Sequence, residues 1–371
     1  MFIPVNEPLL KGNELKYVTQ CIETGWISSE GPFVKEFEDK FSARAGRKYG
    51  IAVCNGTAAL DASVAALGLT EGDEVIMPAF TIISCIVELV RRGVKPVLVD
   101  SDALTWNMDV SQIADKITAR TKAIMVVHTY GLPVDMNPVL EIAEKNNLFV
   151  MEDSAEAHGQ TYYGKPCGSF GDISTFSFYP NKHVTTGEGG MIVTDNEELA
   201  RKCKSLRNLC FIPEKRFVHY ELGWNLRMTN IQAAIGLAQL ERLDDFIAIK
   251  KEMGAFYQTQ LSCLKGKIQL PSTNTCYAEN NYWVMGMVLK ETVPFNAEAA
   301  MKKLAAEGIG SRPFFYPMHL QPVLNKMGLF KGERYPVSEN LAERGFYIPS
   351  GLGMTETQRM IVVEKVIEVL R

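Results

Sequence analysis

The stretch Thr175-Phe-Ser-Phe-Tyr-Pro-Asn-Lys182-His-Val-Thr-Thr-Gly-Glu-Gly-Gly190 decides the fold. Its first residues continue a β-patterned run that begins at Ile173, and a glycine-rich turn follows Lys182. A lysine on a constrained loop at the end of a buried strand can be desolvated. Desolvation lowers its pKa and frees the neutral amine to attack a carbonyl. The alternative is an ordinary solvated loop lysine, so other segments must decide between the two.

Two further segments have the features of phosphate sites. Ile51-Ala-Val-Cys-Asn-Gly-Thr57 runs from a short apolar strand into an alanine-rich helix that ends near Gly68. Gly223-Trp-Asn225-Leu-Arg227 precedes a long amphipathic helix that we expect to continue through Leu243. Free N–H groups and the positive end of the dipole make a helix start suitable for an anion. Taken alone, each segment could equally be a turn followed by a helix cap.

An acidic residue stands at the end of another predicted strand. In Leu148-Phe-Val-Met-Glu-Asp153 the apolar run stops at Asp153, at the carboxyl edge of a sheet where α/β enzymes place their sites. A carboxylate there can pair with a protonated ring nitrogen, such as the pyridinium of pyridoxal 5′-phosphate (PLP). The alternative is an aspartate that caps the following helix.

The order of patterns predicts an α/β fold. Strand and helix patterns alternate, which indicates a mostly parallel sheet covered by helices; the strands are predicted at 51–54, 74–77, 96–100, 123–128, 148–152, 173–178 and 191–194. Beyond the helix ending near Leu261 the pattern changes to a small α+β unit, with strands at 282–289 and 308–313 and helices at 296–307 and 356–370. We therefore expect a large domain over 1–245 and a small domain over 246–371. No flexible linker separates them, which predicts tight packing.

Composition bounds the function. The chain has 371 residues, 46% hydrophobic and 22% charged, with a net charge of −4, so nothing draws it generally to nucleic acid or anionic membrane. The eight cysteines form no CxxC or Cys/His cluster, which predicts no metal site and a reducing compartment. No apolar run is long enough to span a membrane, and the N-terminus lacks a signal pattern. The expected location is the cytoplasm.

Taken together, these segments resemble the sugar aminotransferases of the DegT/DnrJ/EryC1/StrS family over nearly the whole chain. The matching segments are Trp26–Pro32, Asn55–Thr57, Gly72–Pro78, His128–Gly131, Glu152–Asp153, Gly168–Asp172, the Lys182 stretch, Asn225–Gly236 and Ser311–His319. The resemblance implies a PLP-dependent transferase of fold type I, similar to aspartate aminotransferase. It also implies L-glutamate as amino donor and a nucleotide-linked keto sugar as acceptor.

The resemblance assigns a role to individual residues. Lys182 matches the lysine that holds PLP as a Schiff base and moves a proton between the cofactor C4′ and the sugar C4. Asp153 matches the pyridinium partner, and Glu156 lies at a position near the ring hydroxyl. Three residues match phosphate contacts: Gly56, Thr57 and Ser177. Asn225 matches a residue that reaches the phosphate from the neighbouring subunit, which implies a homodimer with shared active sites.

The substrate contacts implied by the resemblance lie in three places. A family segment near the active site contains Trp26, Ser28, Ser29 and Gly31, and Tyr179 could touch the hexose. Arg312 and His319 are candidate partners for the sugar or its diphosphate, because a guanidinium offers paired donors to phosphate. The alternative for Arg312 is a salt bridge between domains, and for His219 and Tyr316 packing is equally expected. Ile82 is a departure, since relatives place an aromatic residue there to stack on the cofactor.

Within the family, the sequences of these motifs are most similar to those of enzymes that aminate C4 of a GDP-linked 4-keto-6-deoxy sugar for O-antigen or other surface glycans. A dTDP or UDP carrier and amination at C3 stay open. A dehydratase branch of the superfamily replaces the lysine with histidine, and a one-residue slip would put His183 in that place. The flanking residues fix the register on Lys182. A regulatory protein without catalysis is a further alternative, against which the intact lysine, aspartate and phosphate set argues.

Overall fold

The computed structural model describes residues 2–215 and 217–371; Met1 and Arg216, both inside the predicted large domain, lie outside the described residues. The α-helices within these ranges are α1 (Glu14–Thr24), α2 (Pro32–Arg44), α3 (Gly56–Ala66), α4 (Ser84–Arg91), α5 (Met136–Asn146), α6 (Glu197–Arg207), α7 (Asn230–Leu240), α8 (Leu243–Gln260), α9 (Ala297–Ala306), α10 (Pro322–Lys326), α11 (Pro336–Arg344) and α12 (Glu356–Leu370). Short 3-10 helices lie at Val110–Gln112, Ala114–Lys116, Pro213–Lys215, Leu261–Leu264 and Met318–Leu320.

The β-strands form a large and a small sheet and one short hairpin. They are β1 (Tyr49–Val53), β2 (Glu74–Pro78), β3 (Lys95–Val99), β4 (Thr121–Val127), β5 (Phe149–Asp153), β6 (Thr161–Tyr162), β7 (Lys165–Pro166), β8 (Ile173–Ser177), β9 (Gly190–Thr194), β10 (Ile268–Gln269), β11 (Met285–Leu289), β12 (Arg312–Pro313) and β13 (Gly345–Ile348). The large sheet has the order β1-β9-β8-β5-β4-β2-β3, and the small sheet has the order β10-β11-β13-β12.

The large sheet is mostly parallel, as its apolar strands predict. Only β9 runs antiparallel, against both β1 and β8. Successive side chains of a strand enter different cores: Met125 packs with α3 and α4 on one face, while Ile124 and Val126 pack with α5 on the other. Both faces are buried, as expected for strands covered by helices on each side. All seven strands predicted for this domain are present, with ends that lie within two residues of the predicted ones.

The helix predicted to continue through Leu243 is interrupted, so that expectation was wrong. α7 ends at Leu240, and α8 starts at Leu243. The apolar residues Leu240, Leu243 and Phe246 keep a helical spacing across the turn, and no glycine or proline marks the break. The available signal was the acidic pair Asp244 and Asp245 in the first turn of α8, since carboxylates favour a helix N-terminus.

The small antiparallel sheet is covered by helices, as an α+β unit requires. Its strands are shorter than predicted: the run 282–289 is a strand only from Met285, and the run 308–313 only at Arg312–Pro313. Tyr282 has a φ of 51°, outside the β region, so the strand cannot begin at Tyr282. Two strands, β10 and β13, had no counterpart in the prediction.

The N-terminal segment lies against the small domain. The backbone N–H of Ile3 donates to the Gly308 carbonyl, and the N–H of Gly310 donates to the Ile3 carbonyl. Ile3 is buried in the same core as α9 and α12. Helix α8 crosses the expected boundary near residue 245 without a break. The domain limits therefore stay a prediction, with the first residues packed on the smaller unit.

Candidate active site

A cavity of about 640 Å³ opens at the carboxyl edge of the large sheet. Residues that directly follow β1, β2, β5 and β8 meet there, because parallel strands end at the same edge. Side chains from the C-terminal part of the chain, including Trp283 and Tyr347, close one side. The lining includes Asn55, Gly56, Thr57, Asp61, Thr81, Ile82, Ser84, Asp153, Ala155, Glu156, Thr175, Ser177, Tyr179, Lys182, Leu226, Trp283, Phe315 and Tyr347.

Lys182 projects its amine into this cavity from the loop after β8. The backbone N–H of Lys182 donates to the Tyr179 carbonyl, 2.9 Å away, which makes the loop a tight turn. Its Nζ lies 3.6 Å from Oε1 of Glu156 and 3.8 Å from the centre of the Trp283 ring. Burial lowers the pKa of Lys182, and the nearby carboxylates of Glu156 and Asp153 oppose that shift. The amine is therefore closer to its neutral, nucleophilic form than a solvated lysine is.

Asp153 ends β5 and is held by two donors. Its Oδ1 accepts from the backbone N–H of Ala155 at 3.0 Å, and its Oδ2 accepts from the thiol of Cys85 at 3.2 Å. Burial raises the pKa of Asp153, while these hydrogen bonds and the Lys182 charge lower it. A buried carboxylate of this kind gains most from a cationic partner, since an opposite charge offsets its desolvation.

Glu156 is a second buried acid beside Lys182. Its Oε2 accepts from the backbone N–H of Tyr130 at 2.9 Å. Tyr130 has a φ of 56°, a left-handed conformation that side chains other than glycine rarely adopt and that concentrates at functional sites. Burial raises the pKa of Glu156 to about 7, although Lys182 lowers it. Glu156 can therefore exchange a proton near neutral pH.

The start of α3 forms a cradle for an anion. The Asn55 side chain caps the helix by accepting from the Ala58 N–H at 2.8 Å, so the N–H groups of Gly56 and Thr57 precede the first intrahelical bonds. The Thr57 hydroxyl lies 2.8 Å from that of Ser84. A Cβ on residue 56 would come within 2.7 Å of the Ser177 Cβ, so only glycine fits this close approach.

The donor chemistry of the cavity fits PLP. The α3 cradle supplies N–H and hydroxyl donors for a phosphate, Lys182 supplies an amine for the aldehyde, and Asp153 supplies an anion for the ring nitrogen. Ala155 and Ile82 also line the cavity. Ile82, the expected departure from the family pattern, is an aliphatic side chain that is 45% exposed and open to the cavity.

The structure thus brings seven of the predicted site residues to one cavity: Gly56, Thr57, Asp153, Glu156, Ser177, Tyr179 and Lys182. His183, the alternative to Lys182, is 2% exposed and packs near the His158 ring, outside the lining. The geometry therefore agrees with the register that puts Lys182 in the decisive place.

Five other predicted residues lie outside the lining. Asn225 accepts from Nε of Arg227 at 3.0 Å, although its neighbour Leu226 lines the cavity. The carbonyls of Trp26 and Ser28 accept from the side chain and backbone of Asn230, which fixes their loop.

The two predicted basic contacts differ in their surroundings. Arg312 is exposed on β12, opposite Tyr347 of β13, which does line the cavity. His319 is 2% exposed, with its Nε2 3.0 Å from Oε1 of Glu339 and its ring against Tyr335. His319 is therefore packed in the interior and paired with Glu339, outside the cavity lining. Of the residues with an open assignment, Tyr316 is half exposed, and Nδ1 of His219 lies 2.8 Å from the Leu209 carbonyl.

Sequence reasoning missed most of the aromatic side chains of this site and the thiol beside Asp153. Trp283, Phe315 and Tyr347 come from the C-terminal part of the chain and give the cavity an aromatic wall. Cys85, on α4, contacts Asp153. The aromatic content around 282–284 was visible in the sequence, but nothing local connected it to Lys182.

Among the described residues, His128, Glu152 and Cys167 bring three donor atoms close enough for a metal ion. The Glu152 carboxylate is already used. Nε2 of His128 lies 2.8 Å from one of its oxygens, and Nδ1 of the same ring accepts from the Val134 N–H, so Nε2 is the donor to Glu152. The carboxylate also accepts from the Phe170 N–H at 3.1 Å, from the Ser174 hydroxyl at 3.1 Å and from the Gly168 N–H. These donors lower the pKa of Glu152 to about 2. The Glu152 carboxylate therefore ties β5 to the turn before β8.

None of the helices within the described ranges combines the length and apolar character that crossing a bilayer requires. All eight cysteines are free thiols, six of them buried or partly buried.

Comparison with known proteins gives consistent matches over the full length. A family model described as the DegT/DnrJ/EryC1/StrS aminotransferase family matches residues 8–367. The GDP-perosamine synthases of Escherichia coli O157:H7 and Caulobacter vibrioides are each 42% identical to this chain, covering 99% of it and 98% of the relative. The PLP form of Spr1654 from Streptococcus pneumoniae, provisionally assigned as a sugar aminotransferase, superposes with a TM-score of 0.92 at 25% identity over 100% of both chains.

Proposed function

We propose, since the chain belongs to the DegT/DnrJ/EryC1/StrS aminotransferase family, that it transfers the amino group of L-glutamate to C4 of GDP-4-keto-6-deoxy-D-mannose and so forms GDP-perosamine. The observation that carries this proposal is the 42% identity to two GDP-perosamine synthases along 99% of the chain. The cavity supports it with a buried lysine paired with Glu156 and with a helix start that suits a phosphate.

The enzyme class and cofactor expected from the sequence are confirmed. The protein is a PLP-dependent sugar aminotransferase with the fold type I architecture, a mostly parallel seven-stranded sheet with a smaller α+β unit. When bound, PLP supplies an electron-accepting ring that stabilises negative charge at the carbon carrying the amino group. The residue roles given next are part of the proposal.

The predicted site residues in the cavity would divide the work of binding the cofactor and moving protons. Asp153, fixed by the Ala155 N–H and the Cys85 thiol, holds a proton on the ring nitrogen. Lys182 binds the cofactor through its amine and, once displaced by substrate, carries a proton between the cofactor C4′ and the sugar C4. Glu156 lies 3.6 Å from that amine and can accept or return a proton, because its pKa is about 7. The α3 start, with Ser177, holds the phosphate.

The active site is proposed to be completed by a second copy of the chain. Asn225 does not line the cavity of its own subunit, yet Leu226 beside it does. The preceding segment exposes large apolar side chains, with Tyr220 78% and Leu222 93% exposed. Such side chains are costly to leave in water, and a partner subunit would bury them. In the homodimer, Asn225 of each subunit would contact the cofactor phosphate bound by the other.

The direct test is product analysis with defined nucleotide sugars. The purified protein, loaded with PLP, is incubated with L-glutamate and either GDP-4-keto-6-deoxy-D-mannose or a dTDP-linked 4-keto-6-deoxyhexose. We expect a GDP-linked amino sugar by mass spectrometry and an amine at C4 by NMR. Preferred turnover of the dTDP sugar, or an amine at C3, would contradict the substrate assignment. A product that has lost water without gaining nitrogen would indicate the dehydratase alternative.

A further inference from the structure

We propose that Trp283, contributed by the C-terminal part of the chain, is a positioning residue that holds the Lys182 amine at the cavity and stabilises its protonated form. The inference rests on the proposed role of Lys182. It concerns a residue that no part of the predicted site included.

The contact between the two side chains is direct. Nζ of Lys182 lies 3.8 Å from the centre of the Trp283 ring, within the range of a cation–π interaction, for which tryptophan is the best aromatic partner. The Glu156 carboxylate lies 3.6 Å from the same nitrogen. Trp283 is only 4% exposed and the Lys182 side chain 10%, so water screens the contact little. The amine is thus held between an aromatic ring and a carboxylate.

The indole itself is fixed by its surroundings. Its Nε1–H donates to the carbonyl of Asn181 at 2.8 Å, so Trp283 binds the backbone one residue before the lysine as well as the lysine amine. The ring stacks on Tyr130, with centroids 5.9 Å apart and an interplanar angle of 20°. The Tyr130 N–H in turn donates to Glu156. One connected group of side chains therefore sets the positions of both Lys182 and Glu156.

The close approach of Trp283 depends on Gly131. Gly131 has a φ of 97°, and a Cβ there would come within 2.5 Å of the Trp283 backbone nitrogen. A larger residue would push the indole away from the loop that carries Lys182. The backbone geometry next to Tyr130 is therefore matched to the placement of the indole.

Trp283 opposes the effect of burial on the lysine. Burial favours the neutral amine, whereas the ring face and the carboxylates favour the ammonium. Besides Glu156, the titratable groups that act on Lys182 are Asp153 at the end of β5, Cys85 on α4, and the buried rings of His158 and His183, whose pKa values are lowered by burial. The same cavity is also lined by Asp61, Tyr179, Glu188 and Tyr347. Removing the indole should shift the balance toward the neutral amine and loosen the side chain.

The test follows attachment of PLP to the apoprotein, which requires the neutral Lys182 amine and does not depend on turnover. The rate is measured against pH in wild type, Trp283→Leu and Trp283→Phe. For Trp283→Leu we expect the midpoint of the rate–pH curve to move to lower pH and the maximal rate to fall. If the indole favours the ammonium over the neutral amine by roughly tenfold, the midpoint moves by about one pH unit. Trp283→Phe keeps a ring face but loses the bond to Asn181, so its midpoint should stay near that of wild type while its maximal rate falls.

Trp106 provides the matched control, because it is buried in the same aromatic cluster and contacts Tyr130 and Phe314. Trp106→Leu and Trp106→Phe should leave the midpoint unchanged. If the midpoint and rate of both Trp283 variants match those of wild type, or if the Trp106 variants shift them equally, the inference is wrong. Failure of wild-type protein to attach PLP at Lys182, judged by borohydride reduction and peptide mapping, would instead overturn the proposed function.

Discussion

The thiol of Cys85 donates a hydrogen bond to Asp153, with 3.2 Å between Sγ and Oδ2. Burial raises the pKa of Cys85 well above its usual value, so the thiol remains a neutral donor. The other carboxylate oxygen accepts from the Ala155 N–H. Both oxygens are therefore fixed by uncharged groups, and the negative charge of Asp153 is left for a cationic partner in the cavity.

Replacing Asp153 with Asn should remove that charge while keeping its shape. We expect turnover to fall by about two orders of magnitude or more, the scale of losing a preorganised electrostatic partner, with little change in thermal stability. Asp61→Asn is the control, because Asp61 lines the same cavity; it should change turnover only a few-fold. Near-normal activity of Asp153→Asn would exclude the pyridinium role.

Lys182 and its neighbour His183 should differ sharply in cofactor attachment. Lys182→Ala should abolish the PLP adduct that borohydride makes permanent, whereas His183→Gln should retain it, because only Lys182 lines the cavity. Mass spectrometry of the reduced protein gives the measurement. A reduced adduct that survives in Lys182→Ala would show that another amine carries PLP and would contradict the Lys182 assignment.

Gly56→Ala should weaken the phosphate cradle. The added Cβ would lie 2.7 Å from that of Ser177, an overlap that costs about 1–3 kcal/mol when the surroundings cannot move. We expect a lower unfolding free energy and PLP affinity reduced roughly tenfold, measured by urea unfolding and by titration of the apoprotein. Gly266→Ala is the matched control, since no atom lies within 4 Å of its added Cβ. Equal effects of the two variants would contradict the close-approach argument.

Lys250 should make stability depend on pH. It is 3% exposed, and burial lowers its pKa from 10.5 to about 7, with its Nζ donating to the Ser350 carbonyl at 2.5 Å. Between pH 7 and 10.5 the Lys250 amine is protonated in the unfolded chain and neutral in the folded protein. The free energy of unfolding therefore rises with pH across this range, and the stability gained is lost again as the pH falls to about 7.

Lys250→Met removes this linkage. The unfolding free energy of wild type minus that of Lys250→Met should increase from pH 7 upward, by at most about 5 kcal/mol over the full window, since each pKa unit is about 1.4 kcal/mol. Urea unfolding of the apoproteins between pH 6 and 9.5 measures it. Lys251→Met, at an exposed lysine paired with Glu279, should give no such slope. Parallel pH curves for wild type and Lys250→Met would rule out a lowered pKa for Lys250 in the folded protein.

A complementation experiment tests the shared active site. Lys182→Ala and Asn225→Ala subunits should each be impaired when pure. If Asn225 acts across the dimer, mixing and refolding the two should restore activity, because one cavity of the heterodimer then has both native residues. A mixture no more active than its components would place Asn225 in the cavity of its own subunit or outside any site. Size-exclusion chromatography with light scattering confirms the dimer in each sample.

The sequence alone determined the order of strands and helices and the residues at the ends of the central strands. Lys182, Asp153, Gly56 and Ser177 could be predicted to converge because each directly follows or ends a parallel strand, and such ends share one edge. Periodicity and strand-end position are local properties, so they can be read from neighbouring residues.

Only the tertiary structure decided which distant side chains meet these residues. Trp283 contacts Lys182 across about one hundred positions of chain, and Cys85 contacts Asp153 across 68. It also placed His319 beside Glu339 and away from the cavity, and it divided one apparent helix at Leu240. Contacts of this kind leave no repeating signature in the sequence, because burial and the charge state it imposes depend on how separate elements pack.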